Sequence, residues 1–134
     1  MERDWNYVGI FLDEESTKFL LDWCKALIPS DWKSYAHHMT LAYNNKTTIP
    51  QLCYNYYKPR FGEKVELKIT HLGLSDKALA ARIEYGDEIM NRIPHITIAV
   101  SPEGKPVDSN EIKVWSPIHP IKTVTGEINV FRKN

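Results

Sequence analysis

Tyr35-Ala36-His37-His38-Met39-Thr40-Leu41-Ala42-Tyr43 is an apolar stretch interrupted by imidazoles and one hydroxyl, and its reading decides the fold. Read as a strand, with side chains alternating between faces, it sets His38, Thr40 and Ala42 on one side and Met39, Leu41 and Tyr43 on the other. Farther along, Ile93-Pro94-His95-Ile96-Thr97-Ile98-Ala99-Val100 repeats the order His, apolar, Thr, apolar, Ala. His95, Thr97 and Ala99 again share a face, and Pro94 stands at the entrance, where a strand tolerates a missing donor. The echo hints at two similar lobes.

Around these segments the chain reads as mixed α+β. Residues 7–12 form a short run of β-formers, and Asp13 offers a capping oxygen to the helix that follows. Phe19, Leu20, Trp23, Cys24, Leu27 and Ile28 make one broad helical stripe, which Pro29 ends. Residues 50–57 fit a short helix or a loop. Residues 65–72 alternate as a strand, and 78–83 read as a second strand paired with it despite their alanines. Ser109-Asn110-Glu111 can cap a very short helical turn, and 121–131 suggest one or two final strands. Several connections are too short for helical crossovers, so the sheets are expected to be antiparallel.

The 134 residues predict one domain, spanning 1–134. Seventeen basic residues against 17 acidic ones leave no basic stripe of the kind that grips long duplex nucleic acid. Lys58, Arg60, Lys64 and Lys68 could form a local patch, although such lysines are commonly solvated. A small phosphate-bearing ligand or the end of an RNA fits this balance better. Cys24 and Cys53 sit in apolar settings without CxxC or zinc-site spacing. There is no signal-peptide core and no run long enough to span a bilayer, so a cytoplasmic monomer without a membrane partner is expected.

A strand that buries Met39 and Leu41 yet lines up His38 and Thr40 on its other face has polar groups needing water, a partner or a ligand. The second strand repeats the situation with His95 and Thr97. If the two faces converge, one neutral and one protonated imidazole form an acid–base pair near neutral pH. The threonine hydroxyls can then hold the nonbridging oxygens of a phosphodiester. No third ligand stands beside the histidines, so neither a metal nor another cofactor is called for. His37 should face away from His38, while His71 and His119 read as structural or surface residues.

These paired His-x-Thr motifs resemble those of the 2H phosphoesterases. Within that superfamily the chain looks most like the cyclic phosphodiesterase domain of tRNA ligases and 2',3'-cyclic nucleotide 3'-phosphodiesterase. Val8-Gly9-Ile10-Phe11-Leu12, the Pro94–Val100 segment, residues 106–110 and Gly126-Glu127-Ile128 add softer likeness. The resemblance implies a two-lobed fold with approximate internal two-fold symmetry, antiparallel sheets flanking a central groove, and hydrolysis of a 2',3'-cyclic phosphate on a nucleotide or RNA end to a 2'-phosphate without metal. It implies His38 as acid and His95 as base, roles that exchange if the substrate binds the other way round, with Thr40 and Thr97 on the phosphate. Tyr7, Tyr43, Tyr57 and Trp115 are the candidates for stacking a base.

Two other functions use the same residues. A 3'-5' phosphodiesterase acting on small cyclic or linear oligonucleotides would have the same reaction centre. A non-catalytic binder of RNA ends has less need of two titratable rings.

Overall fold

The computed structural model describes residues 4–133. Strand β1 (Tyr7–Leu12) leads into helix α1 (Glu14–Trp23), whose first turn is capped by Asp13 accepting from Ser16 N at 2.8 Å. The helix stops six residues before Pro29, and a 3-10 turn over Lys25–Leu27 carries the rest of the apolar stripe. Strands β2 (Lys33–Ser34) and β3 (His38–Tyr43) follow, then helix α2 (Thr48–Tyr57). Next come β4 (Lys64–Leu74), β5 (Ala78–Glu84), β6 (His95–Val100) and the long β7 (Trp115–Phe131), with a 3-10 turn over Pro106–Glu111 before the last.

All pairings are antiparallel, in the order β6-β3-β1-β7-β4-β5. Strand β5 then pairs with β6 from Ala78 opposite Val100 to Arg82 opposite His95. The sheet therefore closes into a six-stranded barrel flanked by α1 and α2. This corrects the expected two-lobed, internally symmetric fold with open sheets around a groove. The His-x-Thr strands are not the centres of separate lobes: β3 and β6 are hydrogen-bonded neighbours, with Met39 opposite Ile96. β2 lengthens the same edge of β6, and Tyr35 N and Ala36 N continue it by donating to Ile98 O and Thr97 O.

Alternation fills the barrel. Met39, Leu41, Ile96 and Ile98 are all fully buried, beside Val8, Ile10, Leu67, Ile69 and Ile128. The rings of Tyr54 and Tyr57 bury the face of α2, which explains why 50–57 is helical although its tyrosines give no clear period. Both motif strands carry a bulge at the third residue after the histidine. On β3, Val8 pairs with Ala42 and Gly9 with Thr40, leaving Leu41 over. On β6, Leu79 pairs with Ala99 and Ala80 with Thr97, leaving Ile98 over. A bulge reverses the faces beyond it. Tyr43 consequently lies on the outer wall with Thr40, not with Met39.

Closure also requires close approach between β7 and β1. A Cβ on Gly126 would stand 2.7 Å from Ile10 Cγ2 and 2.9 Å from Phe11 O. Backbone cannot yield as a side-chain tip can, so Gly126→Ala should destabilise the protein by about 1–3 kcal/mol in urea denaturation. An unchanged midpoint would show that the two strands separate freely.

Candidate active site

The outer wall of the β3–β6 pair carries the motif side chains. Because Met39 faces Ile96 across antiparallel strands, His38 lies beside Thr97 and Thr40 beside His95. The four side chains thus stand at the corners of a rectangle, histidines on one diagonal and threonines on the other. Ideal strand spacing puts the two histidine Cα atoms roughly 8 Å apart. A cleft of about 370 Å³ opens over this rectangle, and His38, Thr40, His95 and Thr97 all line it.

Each corner is held differently. The His38 ring is stacked by Tyr7, with centroids 4.7 Å apart, and flanked by Phe11 at 5.6 Å. Burial, reinforced by the nearby His37 and His95, pushes the His38 imidazole down to about 4. Near neutral pH this ring is therefore held neutral. His95 places Nδ1 2.8 Å from the Ile93 carbonyl oxygen, which can only accept, so Nδ1 carries the proton and Nε2 is left for the cleft. Burial lowers the His95 pKa as well, and the Ile93 carbonyl opposes that shift.

Thr97 has a support that the sequence did not reveal. Its Oγ1 donates to Pro106 O at 3.3 Å and lies 2.8 Å from Ser109 Oγ, which must then be the donor. Ser109 is 1% exposed, so the 3-10 turn that carries it is fixed against the motif strand. Rotation of the Thr97 hydroxyl can exchange Pro106 for an anion while Ser109 still holds the oxygen.

The aromatic candidates separate. Tyr7 and Tyr43 are cross-strand partners on the outer wall and both line the cleft. Tyr57 is fully buried in α2, where its hydroxyl donates to Glu88 O and accepts from Tyr85. Trp115 does not line this cleft; it stands against Gly73 in the wall of the pocket next to it. His37 does line the cleft, contrary to the simple alternation. The cause is Ala36, which is buried and left-handed at φ 61°, and turns the chain just before β3 begins. His71 and His119 stay outside it.

The cleft also takes Asn91 and Asn110 from loops, neither of which sequence periodicity could single out. Asn91 belongs to a segment tied to α2. Asp87 accepts from Tyr56 Oη at 2.6 Å and from Arg60 at 2.7 Å, and Met90 N donates to Leu41 O. No group of three or more His, Cys, Asp or Glu side chains among the described residues is placed to hold a metal ion.

The two His-x-Thr motifs thus bring two imidazoles and two hydroxyls from neighbouring strands to one cleft. The model of the fungal tRNA ligase phosphodiesterase domain matches residues 24–130, both motifs included, and the chain belongs to that family of 2H phosphoesterases. It is an enzyme of the phosphodiesterase type that hydrolyses a 2',3'-cyclic phosphate. A comparison with curated proteins found no match. No helix among the described residues is long and apolar enough to cross a membrane.

NMR titration of the free protein should find His38 with a midpoint near 4 and His95 below the ordinary histidine value of about 6.5. Tyr7→Ala opens the His38 ring to water and should raise its midpoint more than that of His95. Ordinary titration of His38 in the wild-type protein would contradict the stacked, desolvated ring.

Proposed function

We propose that the cleft opens a 2',3'-cyclic phosphate at the end of a nucleotide or RNA to a 2'-phosphate, with His38 and His95 moving the protons and Thr40 and Thr97 holding the phosphate. The diagonal placement of the two histidines carries this reading. Displacement at phosphorus puts the attacking water and the departing 3' oxygen on opposite sides. Rings at opposite corners match those two oxygens, and hydroxyls at the remaining corners match the two nonbridging ones. One neutral imidazole takes the proton of water as the new O–P bond forms. The protonated partner gives its proton to O3' as the P–O3' bond breaks. These four side chains supply both the proton transfers and the charge stabilisation, so the step needs no metal ion.

The depressed pKa values fit an anionic substrate. Both rings resist protonation in the empty cleft, whereas a bound phosphate anion favours one imidazolium. Tyr43 supplies an exposed flat surface for a nucleobase at the mouth, whereas Tyr7 is already stacked on His38 and Phe131. Two free, buried cysteines suit a reducing compartment such as the cytoplasm, and a monomer suffices because one chain furnishes the whole centre.

The test is incubation with a nucleoside 2',3'-cyclic phosphate in EDTA, resolving 2'- from 3'-monophosphate. We expect the 2' isomer, with kcat lowered about 10²–10⁴-fold by His38→Ala or His95→Ala and about 10²-fold by Thr40→Ala. Formation of the 3' isomer, or full activity in either histidine variant, would reject this reading.

The same assay has a pH signature. With both free-enzyme values below the ordinary 6.5, the fraction carrying one proton falls as pH rises through neutrality. The ratio kcat/KM should then drop about tenfold per pH unit between 7 and 8, while the kcat optimum lies higher because bound anion stabilises the imidazolium. A kcat/KM that stays level from 6.5 to 8 would be incompatible with depressed values.

A further inference from the structure

Beside the catalytic cleft lies a second pocket of about 620 Å³. The two share Asn91, His95 and Asn110, so they are continuous through the His95 corner of the rectangle. Their charges differ. Among the described residues, the catalytic cleft is lined by no lysine or arginine, whereas Arg82, Arg92 and Lys113 all line the second pocket and no acidic residue does. None of these three cations makes an ion pair among the described residues, unlike Arg60, which is held by Glu63 and Asp87. Arg82 is also anchored by register: it sits directly opposite His95 on β5. Cross-strand partners have Cβ atoms about 5 Å apart, so the guanidinium starts from the position next to the imidazole.

Three unpaired cations around one concavity, one step from a phosphate-cleaving centre, suit a second phosphate of the same substrate. We propose that Arg82, Arg92 and Lys113 form a subsite for the phosphate on the 5' oxygen of the reacting nucleotide, which in an RNA is the phosphodiester to the preceding residue. This rests on the phosphodiesterase reading and adds the feature that separates substrates with a 5' phosphate from bare nucleoside cyclic phosphates. Asn91 and Asn110, at the junction, stand where the ribose passes between the pockets.

The experiment compares adenosine 2',3'-cyclic phosphate, its 5'-phosphorylated form and the dinucleotide ending in the same cyclic phosphate. Wild-type enzyme should favour the two substrates with a 5' phosphate by about 10- to 100-fold in kcat/KM. In Arg82→Gln and in the Arg92→Gln/Lys113→Gln double variant that ratio should fall toward one. Equal use of both phosphate-bearing substrates means that the subsite reads the phosphate alone, and a preference for the dinucleotide means that it takes an RNA end. Calorimetric binding of adenosine 2',5'-bisphosphate against adenosine 2'-phosphate gives a readout independent of turnover, with the same preference and the same loss. A wild-type ratio near one in binding, or a ratio untouched by the substitutions, overturns the subsite. Absence of turnover with preserved binding preference would instead fault the catalytic reading and leave the subsite standing.

Discussion

The pairing of Met39 with Ile96 is the constraint on which the site depends. It joins the two motif strands edge to edge, buries one apolar residue from each in the barrel, and by alternation turns the residues on either side outward. A slip of one residue would send the histidines into the core and the apolar residues into water. Core packing therefore fixes the diagonal arrangement of rings and hydroxyls. The two bulges, at Leu41 and Ile98, keep a buried residue on each strand while resetting the faces beyond it. Gly9 belongs to the same arrangement, since a Cβ there would meet Met39 O at 2.9 Å.

Burial then gives the centre its chemistry. Tyr7 and Phe11 cover the His38 ring, and the Ile93 carbonyl chooses the proton position on His95. Burial holds both imidazoles below the ordinary histidine value, so each resists protonation in the empty cleft. The supports come from outside the strands. Ser109 braces Thr97 from a 3-10 turn, and contacts from Tyr56, Tyr57 and Arg60 hold the segment that brings Asn91 to the cleft.

Much of the centre could be read from residue order alone, because a strand's period of two forces His38 with Thr40 and His95 with Thr97. Closure of the sheet could not, since it rests on β5 meeting β6 and β1 meeting β7, contacts that leave no local pattern. Tyr43 changed faces because the bulge at Leu41 is invisible without its partner strand. His37 entered the cleft because Ala36 adopts a left-handed conformation that an alanine does not announce. Tyr57 and Trp115 have the composition of base-stacking residues, but tertiary packing sets one in the core and the other in a neighbouring wall. Ser109, Asn91 and Arg82 carry no periodic signal, and only the folded chain brings them beside the motif strands.

The most direct test of the central claim is the crystal structure of the protein with a nucleoside 2',3'-cyclic vanadate, whose five-coordinate centre imitates phosphorus in transit. The vanadium should lie within the rectangle, its two apical oxygens facing Nε2 of His38 and of His95, and its free equatorial oxygens facing Thr40 and Thr97. A vanadate that touches only one of the two rings, or binds away from the β3–β6 pair, would contradict the account.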